Sequence, residues 1–242
     1  MVSLRSHLAG RRIAGGTGPR SERVWGAFLI GLAVSAAYAA SPGDVLDRWF
    51  AAQTNIHTWS ADLVQTRTLK VLAQPLVSTG KVWLATPDRF RWELGQPAQT
   101  IALRQPDQLF IIYPRLKRVE KYPLGDKQVG PWKDALALLE ASFPRHRAEL
   151  ESRFRVLSVA QTNSIVQLTL QPKSASARKF MAEIQISFHA TDCLPTATEL
   201  RFSDGSSMRS EFTNAVLNAP ISKELFEAKF DPEFVVVEPA RQ

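Results

Sequence analysis

Cysteine is almost absent: Cys193 is the only one in 242 residues, so no internal disulfide can staple the chain. It lies far from the N-terminus and cannot serve as the acylated first residue of a lipoprotein. A small buried side chain is its expected role. Histidine is also scarce. The four present show no H-E-x-x-H spacing, which excludes that zinc arrangement. His57, His146 and His189 read as surface or edge residues. There is no G-x-S-x-G elbow, no Gly-rich phosphate loop and no pair of carboxylates beside a base. Ser206 and Ser207 follow Asp204-Gly205 without any of that machinery, so the reading is non-enzymatic and without cofactor or metal. Repeats, low-complexity stretches and linkers are missing too, and one domain is the simplest organisation.

No apolar run is long enough for a membrane-spanning helix. The longest, Val24 to Tyr38, falls short of the roughly 20 residues a bilayer requires. It follows Arg5, Arg11, Arg12, Arg20 and Arg23 and ends on the small-x-small triplet Ala37-Tyr38-Ala39, the layout of a cleavable secretory signal. Residues 1–39 are therefore read as a signal peptide and 40–242 as the working domain, expected in the periplasm. An uncleaved anchor is the alternative. The Arg11-Arg12 pair lies a dozen residues before the apolar run and is only a weak signal of twin-arginine export.

The formal charge of +7 belongs mostly to this leader, since residues 40–242 carry only +3. Nucleic-acid binding would need a concentrated basic face, and none is expected. Arg115, Lys117, Arg118 and Lys121 form the one basic cluster. It suits either an acidic partner or phospholipid head groups, with a solvated hairpin face as the plainer reading.

Asp44 to Ile56 is predicted to be an amphipathic helix, with Val45, Leu46, Trp49, Phe50 and Ala52 at helical spacing. From Thr58 the period becomes two. Trp59, Ala61 and Leu63 alternate with Ser60, Asp62 and Val64, and strand patterns follow at 79–85, 89–94, 100–104 and 108–113. Gln74-Pro75, Thr86-Pro87-Asp88, Gln96-Pro97 and Gln105-Pro106-Asp107 punctuate them as turns. Trp132, Leu136, Leu139 and Phe143 then share one face of a second helix after Pro131, and a charged segment spans 145–153. Further strands are predicted at 154–160, 165–171, 181–190, 197–202 and 207–214, the last two joined at Asp204-Gly205. Residues 220–242 form a closing tail with Phe226, Phe230 and Phe234. So many strands with two helical insertions imply an α+β fold built on a strongly bent antiparallel sheet.

Parity puts Phe90, Trp92 and Leu94 on one face, and likewise Leu109, Ile111 and Tyr113, while Arg89, Arg91 and Glu93 point away. Periodicity alone leaves two readings open: the lining of a cavity, or an ordinary packed core.

The run Gly80-Lys81-Val82-Trp83-Leu84-Ala85-Thr86-Pro87-Asp88-Arg89-Phe90-Arg91-Trp92-Glu93, with Pro97 and Tyr113-Pro114 after it, resembles the outer-membrane lipoprotein carrier (LolA) family. Leu63-Val64-Gln65, Phe212-Thr213-Asn214 and the tail from Phe226 to Val236 extend the likeness over residues 42–238. The resemblance implies an incomplete antiparallel β-barrel, a half-barrel of about ten to eleven strands, with helices as a lid over a hydrophobic cavity. Leu63 and Trp83 would then join the two aromatic and aliphatic sets as cavity lining, and Trp132, Leu136, Leu139 and Phe143 would face inward from the lid. It further implies a monomeric carrier that takes acylated lipoprotein from an inner-membrane ABC transporter complex to an outer-membrane acceptor lipoprotein. The acceptor of that pathway has a similar fold but is itself a lipoprotein, and no cysteine follows the leader here. One departure matters. Family members resembling this run carry Arg before the Pro, where it helps hold the lid closed; Thr86 stands there in this chain, leaving Arg89 and Arg91 as candidate substitutes. The departure leaves room for another envelope lipid, of glycolipid or hopanoid type, as cargo, and for an envelope protein-binding or stress-sensing module.

Overall fold

The computed structural model describes residues 42–124 and 146–238, and the statements below concern these. Helix α1 (Pro42–Thr54) is followed by β1 (Thr58–Thr68), β2 (Leu76–Ala85), β3 (Arg89–Leu94), β4 (Thr100–Gln105), β5 (Gln108–Tyr113) and β6 (Arg118–Pro123). Helix α2 (Arg147–Arg153) leads into β7 (Phe154–Thr162) and β8 (Ile165–Pro172). After α3 (Ala175–Phe180) come β9 (Met181–His189), β10 (Pro195–Phe202), β11 (Ser207–Leu217) and β12 (Val235–Val237). The helix predicted over 132–143 lies outside the described residues.

All twelve strands belong to one sheet, in the order β12-β6-β5-β4-β3-β2-β1-β11-β10-β9-β8-β7. Every pairing is antiparallel except β12 with β6. The end strands β12 and β7 do not pair, so the sheet is an unclosed, incomplete barrel. Since each strand twists relative to the next, a sheet this wide must curl.

The two faces bury different partners. Along α1 the stripe Val45, Leu46, Trp49 and Phe50 packs on Val166, Leu168, Leu170, Ile184, Ile186 and Phe188 of β8 and β9, with Trp49 stacked on Phe188 at 5.3 Å. The cross-strand partners Ile186–Thr198, Thr198–Ser210 and Ser210–Gln65 carry this α1 face onto β1. There it continues with Trp59 and Leu63, both fully buried.

On the opposite face the C-terminal tail lies across β3 to β6. Phe226, at the end of a 3-10 turn from Lys223, packs with Ile101, Leu103, Phe110, Ile112 and Val119, and Phe230 and Phe234 extend the contact. Gln105 Nε2 donates to the Phe226 carbonyl at 2.9 Å, Arg91 Nη1 to the Leu225 carbonyl at 3.2 Å, and the Val235 N–H to the Lys117 carbonyl at 2.8 Å. Covering on both sides explains why β5 reads as the unbroken apolar run Leu109-Phe110-Ile111-Ile112 instead of alternating.

Two strands and one helix were not visible in the sequence pattern: β6, β12 and α3. The last is capped by Ser174, whose side chain accepts from the Ala177 N–H. Cys193 is buried, and burial, ahead of any charge, raises its thiol above the ordinary value. Native protein at neutral pH is therefore expected to resist thiol reagents and to react only on unfolding; a thiol-labelling time course with and without denaturant checks this.

Candidate functional site

The α1 face of β1 to β6 carries most of the residues singled out from the sequence. Three cross-strand rows build it. Leu84 pairs with Phe90, Phe90 with Arg104, Arg104 with Leu109 and Leu109 with Tyr122. In the next row Val82 pairs with Trp92, Trp92 with Ala102, Ala102 with Ile111 and Ile111 with Glu120. The third runs from Leu63 through Gly80 to Leu94 and Thr100, and Tyr113 pairs with Arg118 at its far end. Antiparallel partners project to the same side, so Leu63, Phe90, Trp92, Leu94, Leu109, Ile111 and Tyr113 share one surface.

The packing of that surface is uneven. Leu63, Phe90, Leu109 and Ile111 are buried, whereas Trp92, Leu94 and Tyr113 keep part of their surface open. Trp92 meets Phe212 edge-on at 5.9 Å, and Phe212 meets Trp59 in the same way at 5.1 Å, an arrangement aromatic quadrupoles favour. Gly80, between Leu63 and Leu94, brings no side chain to the third row.

Polar groups mark the β6 margin. Glu120 accepts from Arg118 Nη2 at 2.8 Å and from the Tyr122 hydroxyl at 2.9 Å. Desolvation first, then the Glu120 carboxylate, pushes the Tyr122 hydroxyl far above its ordinary range, so it remains a donor at any physiological pH. Tyr113 is raised in the same direction, also chiefly by burial. In the first row Arg104 lies 3.5 Å from Asp88. Among the described residues no group of three or more His, Cys, Asp or Glu side chains could hold a metal.

Trp83 requires a correction. It pairs with Ser60 and Arg91, not with a residue of the three rows, and packs with the tail-side cluster around Phe226. Val82-Trp83-Leu84 is apolar at three consecutive positions because β2 is covered on both faces, so composition gave no clue to which side Trp83 takes. The lid-control candidates are dispersed. The Thr86 N–H and hydroxyl both donate to the His57 carbonyl, at 2.9 and 3.2 Å, tying the end of β2 to the loop after α1. Arg89 and Arg91 share the tail face with their partners Ala85 and Trp83, and Arg91 bonds Glu93 at 2.5 Å as well as the tail. Trp132, Leu136, Leu139 and Phe143 lie outside the described residues. Val82, Leu84, Ala102, Tyr122 and Phe212 also belong to this surface. Cross-strand register was the information that would have found them: Val82 pairs with Trp92, Leu84 with Phe90, Ala102 with Ile111, Tyr122 with Leu109 and Phe212 with Leu63.

An open, mostly antiparallel sheet with one apolar surface continuous with that under α1, and a second beneath its own C-terminal tail, defines an incomplete barrel that shelters hydrophobic side chains. The chain belongs to the family described as Outer membrane lipoprotein carrier protein LolA, whose model matches residues 54–229. It is 26% identical over 155 residues to an outer-membrane lipoprotein carrier protein of Coxiella burnetii, covering 63% of this chain and 67% of the relative. Similar solved structures include a LolA superfamily protein from Nitrosomonas europaea, at 8% identity and a TM-score of 0.40, covering 78% of this chain and 99% of that one. The Pseudomonas aeruginosa MucA/MucB complex matches at 18% identity and a TM-score of 0.44, covering 82% and 64%.

Proposed function

We propose that this protein is a periplasmic carrier that shelters the acyl chains of lipoproteins on the α1 face of β1 to β6 and moves them from the inner to the outer membrane. Residues 1–39 would direct export and residues 40–242 form the working domain. An inner-membrane ABC transporter complex would load it and an outer-membrane acceptor lipoprotein unload it. Binding needs no bond change. Each methylene removed from water contributes about 0.8 kcal/mol, so one long acyl chain gains on the order of 10 kcal/mol. Affinity on that scale is easily reached; release is the harder requirement, which a surface of large, loosely packed side chains meets. Family membership supports the cargo class. The observation that carries the assignment to this surface is the set of Trp92, Leu94 and Tyr113, bulky side chains of two adjacent rows left part-open beside fully buried Leu63 and Leu109.

The two tryptophans on opposite faces separate the reading from general destabilisation. Trp92→Ser is expected to lower the lipid recovered with the purified protein about tenfold, and Trp83→Ser, on the tail face, to leave it within about twofold at matched folded fraction. Equal losses in both variants would refute the assignment of the surface. The lid is proposed from the family resemblance: Leu139→Asp is expected to reduce lipid retention while the far-ultraviolet circular dichroism spectrum stays unchanged.

A further inference from the structure

Register sorts the connections between strands to two ends of the sheet. One end gathers the β1–β2 hairpin tip (69–75), the β3–β4 turn (95–99), the 3-10 turn after β5 with Lys117 (114–117), the β8–β9 connection bearing α3 (173–180) and the β10–β11 turn (203–206). The other gathers the loop after α1 and the β2–β3, β4–β5, β7–β8 and β9–β10 turns.

Charge divides between these ends. Among the described residues, the strand-to-strand connections at the first end carry Lys70, Arg115, Lys117, Lys173, Arg178 and Lys179 against Asp204, and α2, which meets this end where Phe154 pairs with Pro172, adds Arg147 and Arg153 against Glu149 and Glu151. Connections at the second end carry Asp88, Asp107 and Asp192 and neither Lys nor Arg. Asp204 lies close enough to Lys70 to feel its charge, and Glu233 of the tail pairs with Lys117. Net positive charge remains at the first end.

Exposed apolar side chains follow the same division. At the first end Val71 is 88% exposed, Leu116 72% and Phe180 55%, and Leu72, Leu76 and Val77 are exposed as well. At the second end Val216 and Leu217, finishing β11, are the large apolar residues left exposed among those described. The β1–β2 hairpin occupies the middle of the first end and projects from it. β3 stops opposite Gly80, so β2 runs on for Leu76 to Thr79 beside β1 without β3 alongside, and every residue from Val71 to Thr79 is exposed.

A narrow tip with bare valine and leucine side chains, set among cations on neighbouring connections, is mismatched to water. It suits a fluid surface that accepts apolar groups just below a layer of negative charge. We infer that this end of the sheet docks on anionic phospholipid bilayers, the β1–β2 tip entering the interface and Lys70, Arg115 and Lys179 meeting lipid phosphates. The inference stands apart from acyl-chain carriage, since the docking residues are not those of the α1 face.

Vesicle flotation tests it, using the chain as recovered from the producing cell's envelope. Vesicles containing phosphatidylglycerol are expected to carry the protein upward, added salt to weaken the association, and phosphatidylcholine vesicles to leave it behind. Val71→Ser combined with Leu72→Ser should reduce binding about tenfold, and Lys70→Glu combined with Arg115→Glu by at least as much. Val216→Ser with Leu217→Ser, at the opposite end, serves as the comparison and should change binding less than twofold. All these side chains are already exposed, so melting temperatures should match the parent's and show that the variants fold. Failure to float with phosphatidylglycerol, equal flotation on neutral vesicles, or tip variants that bind like the parent would each overturn the inference. So would a photo-cross-linker at position 72 that captures a protein in the envelope while added vesicles go unbound.

Discussion

Replacing Gly80 with alanine is expected to destabilise the protein by about 3 kcal/mol, lowering the melting temperature by about 10 °C for a domain of this size. A Cβ at Gly80 would stand 1.8 Å from the Glu93 carbonyl oxygen, 2.9 Å from its carbon and 3.2 Å from the Leu94 Cα. Each of these is backbone, so no side chain can rotate aside and β2 would have to part from β3. The strain would fall in the row linking Leu63 to Leu94, and lipid retention should decline with stability. Gly205 provides the contrast. A Cβ there meets nothing within 4 Å, but its φ of +87° is one that L residues rarely adopt, so Gly205→Ala should cost only about 1 kcal/mol. Thermal melts of the two variants side by side distinguish close backbone approach from conformational preference; equal shifts would contradict the β2–β3 geometry.

Phe226→Ala is expected to cost about 3 to 5 kcal/mol, the usual range for emptying a phenylalanine site in a core. The ring is almost wholly buried among Ile101, Leu103, Phe110, Ile112 and Val119, and its own carbonyl is fixed by Gln105. Losing it loosens the tail, and β12 should be released from β6. Denaturant unfolding would measure the loss, and amide exchange should show faster exchange at Val235 to Val237. Because this cluster lies on the tail face, lipid recovered per folded molecule should change little. A stable Phe226→Ala variant that no longer retains lipid would instead place the cargo under the tail.

The same contrast between the faces shows what the sequence revealed. Period-two alternation and the proline-containing turns located ten of the strands, because β1 and β8 bury one side and leave the other wet or half-wet. β6 escaped notice since Arg118-Val119-Glu120-Lys121 has only one apolar residue in four. Its strand character comes from pairing with β5 and β12, and Val119 is buried by a tail more than a hundred residues away in sequence. β12 is three valines, the first two exposed and the last half-buried, recognisable only through a parallel pairing no local pattern encodes. For the candidate site, parity correctly grouped Phe90, Trp92 and Leu94, whose intervening residues are charged. It gave no guidance for Trp83, flanked by apolar neighbours in a strand covered on both sides. The roles of Arg89 and Arg91 were equally hidden: that Arg91 reaches a tail carbonyl depends on residues 134 positions on.

Acyl-chain carriage is the central claim, and native mass spectrometry of the chain recovered from an envelope extract, followed by release and identification of any bound species, tests it most directly. A co-purifying acylated lipoprotein fragment, diminished in the Trp92→Ser variant and retained in Trp83→Ser, is the expected result. A glycolipid or hopanoid in its place would keep the surface and change the cargo. Protein that is repeatedly empty of lipid, or that carries a peptide without acyl chains, would contradict the account.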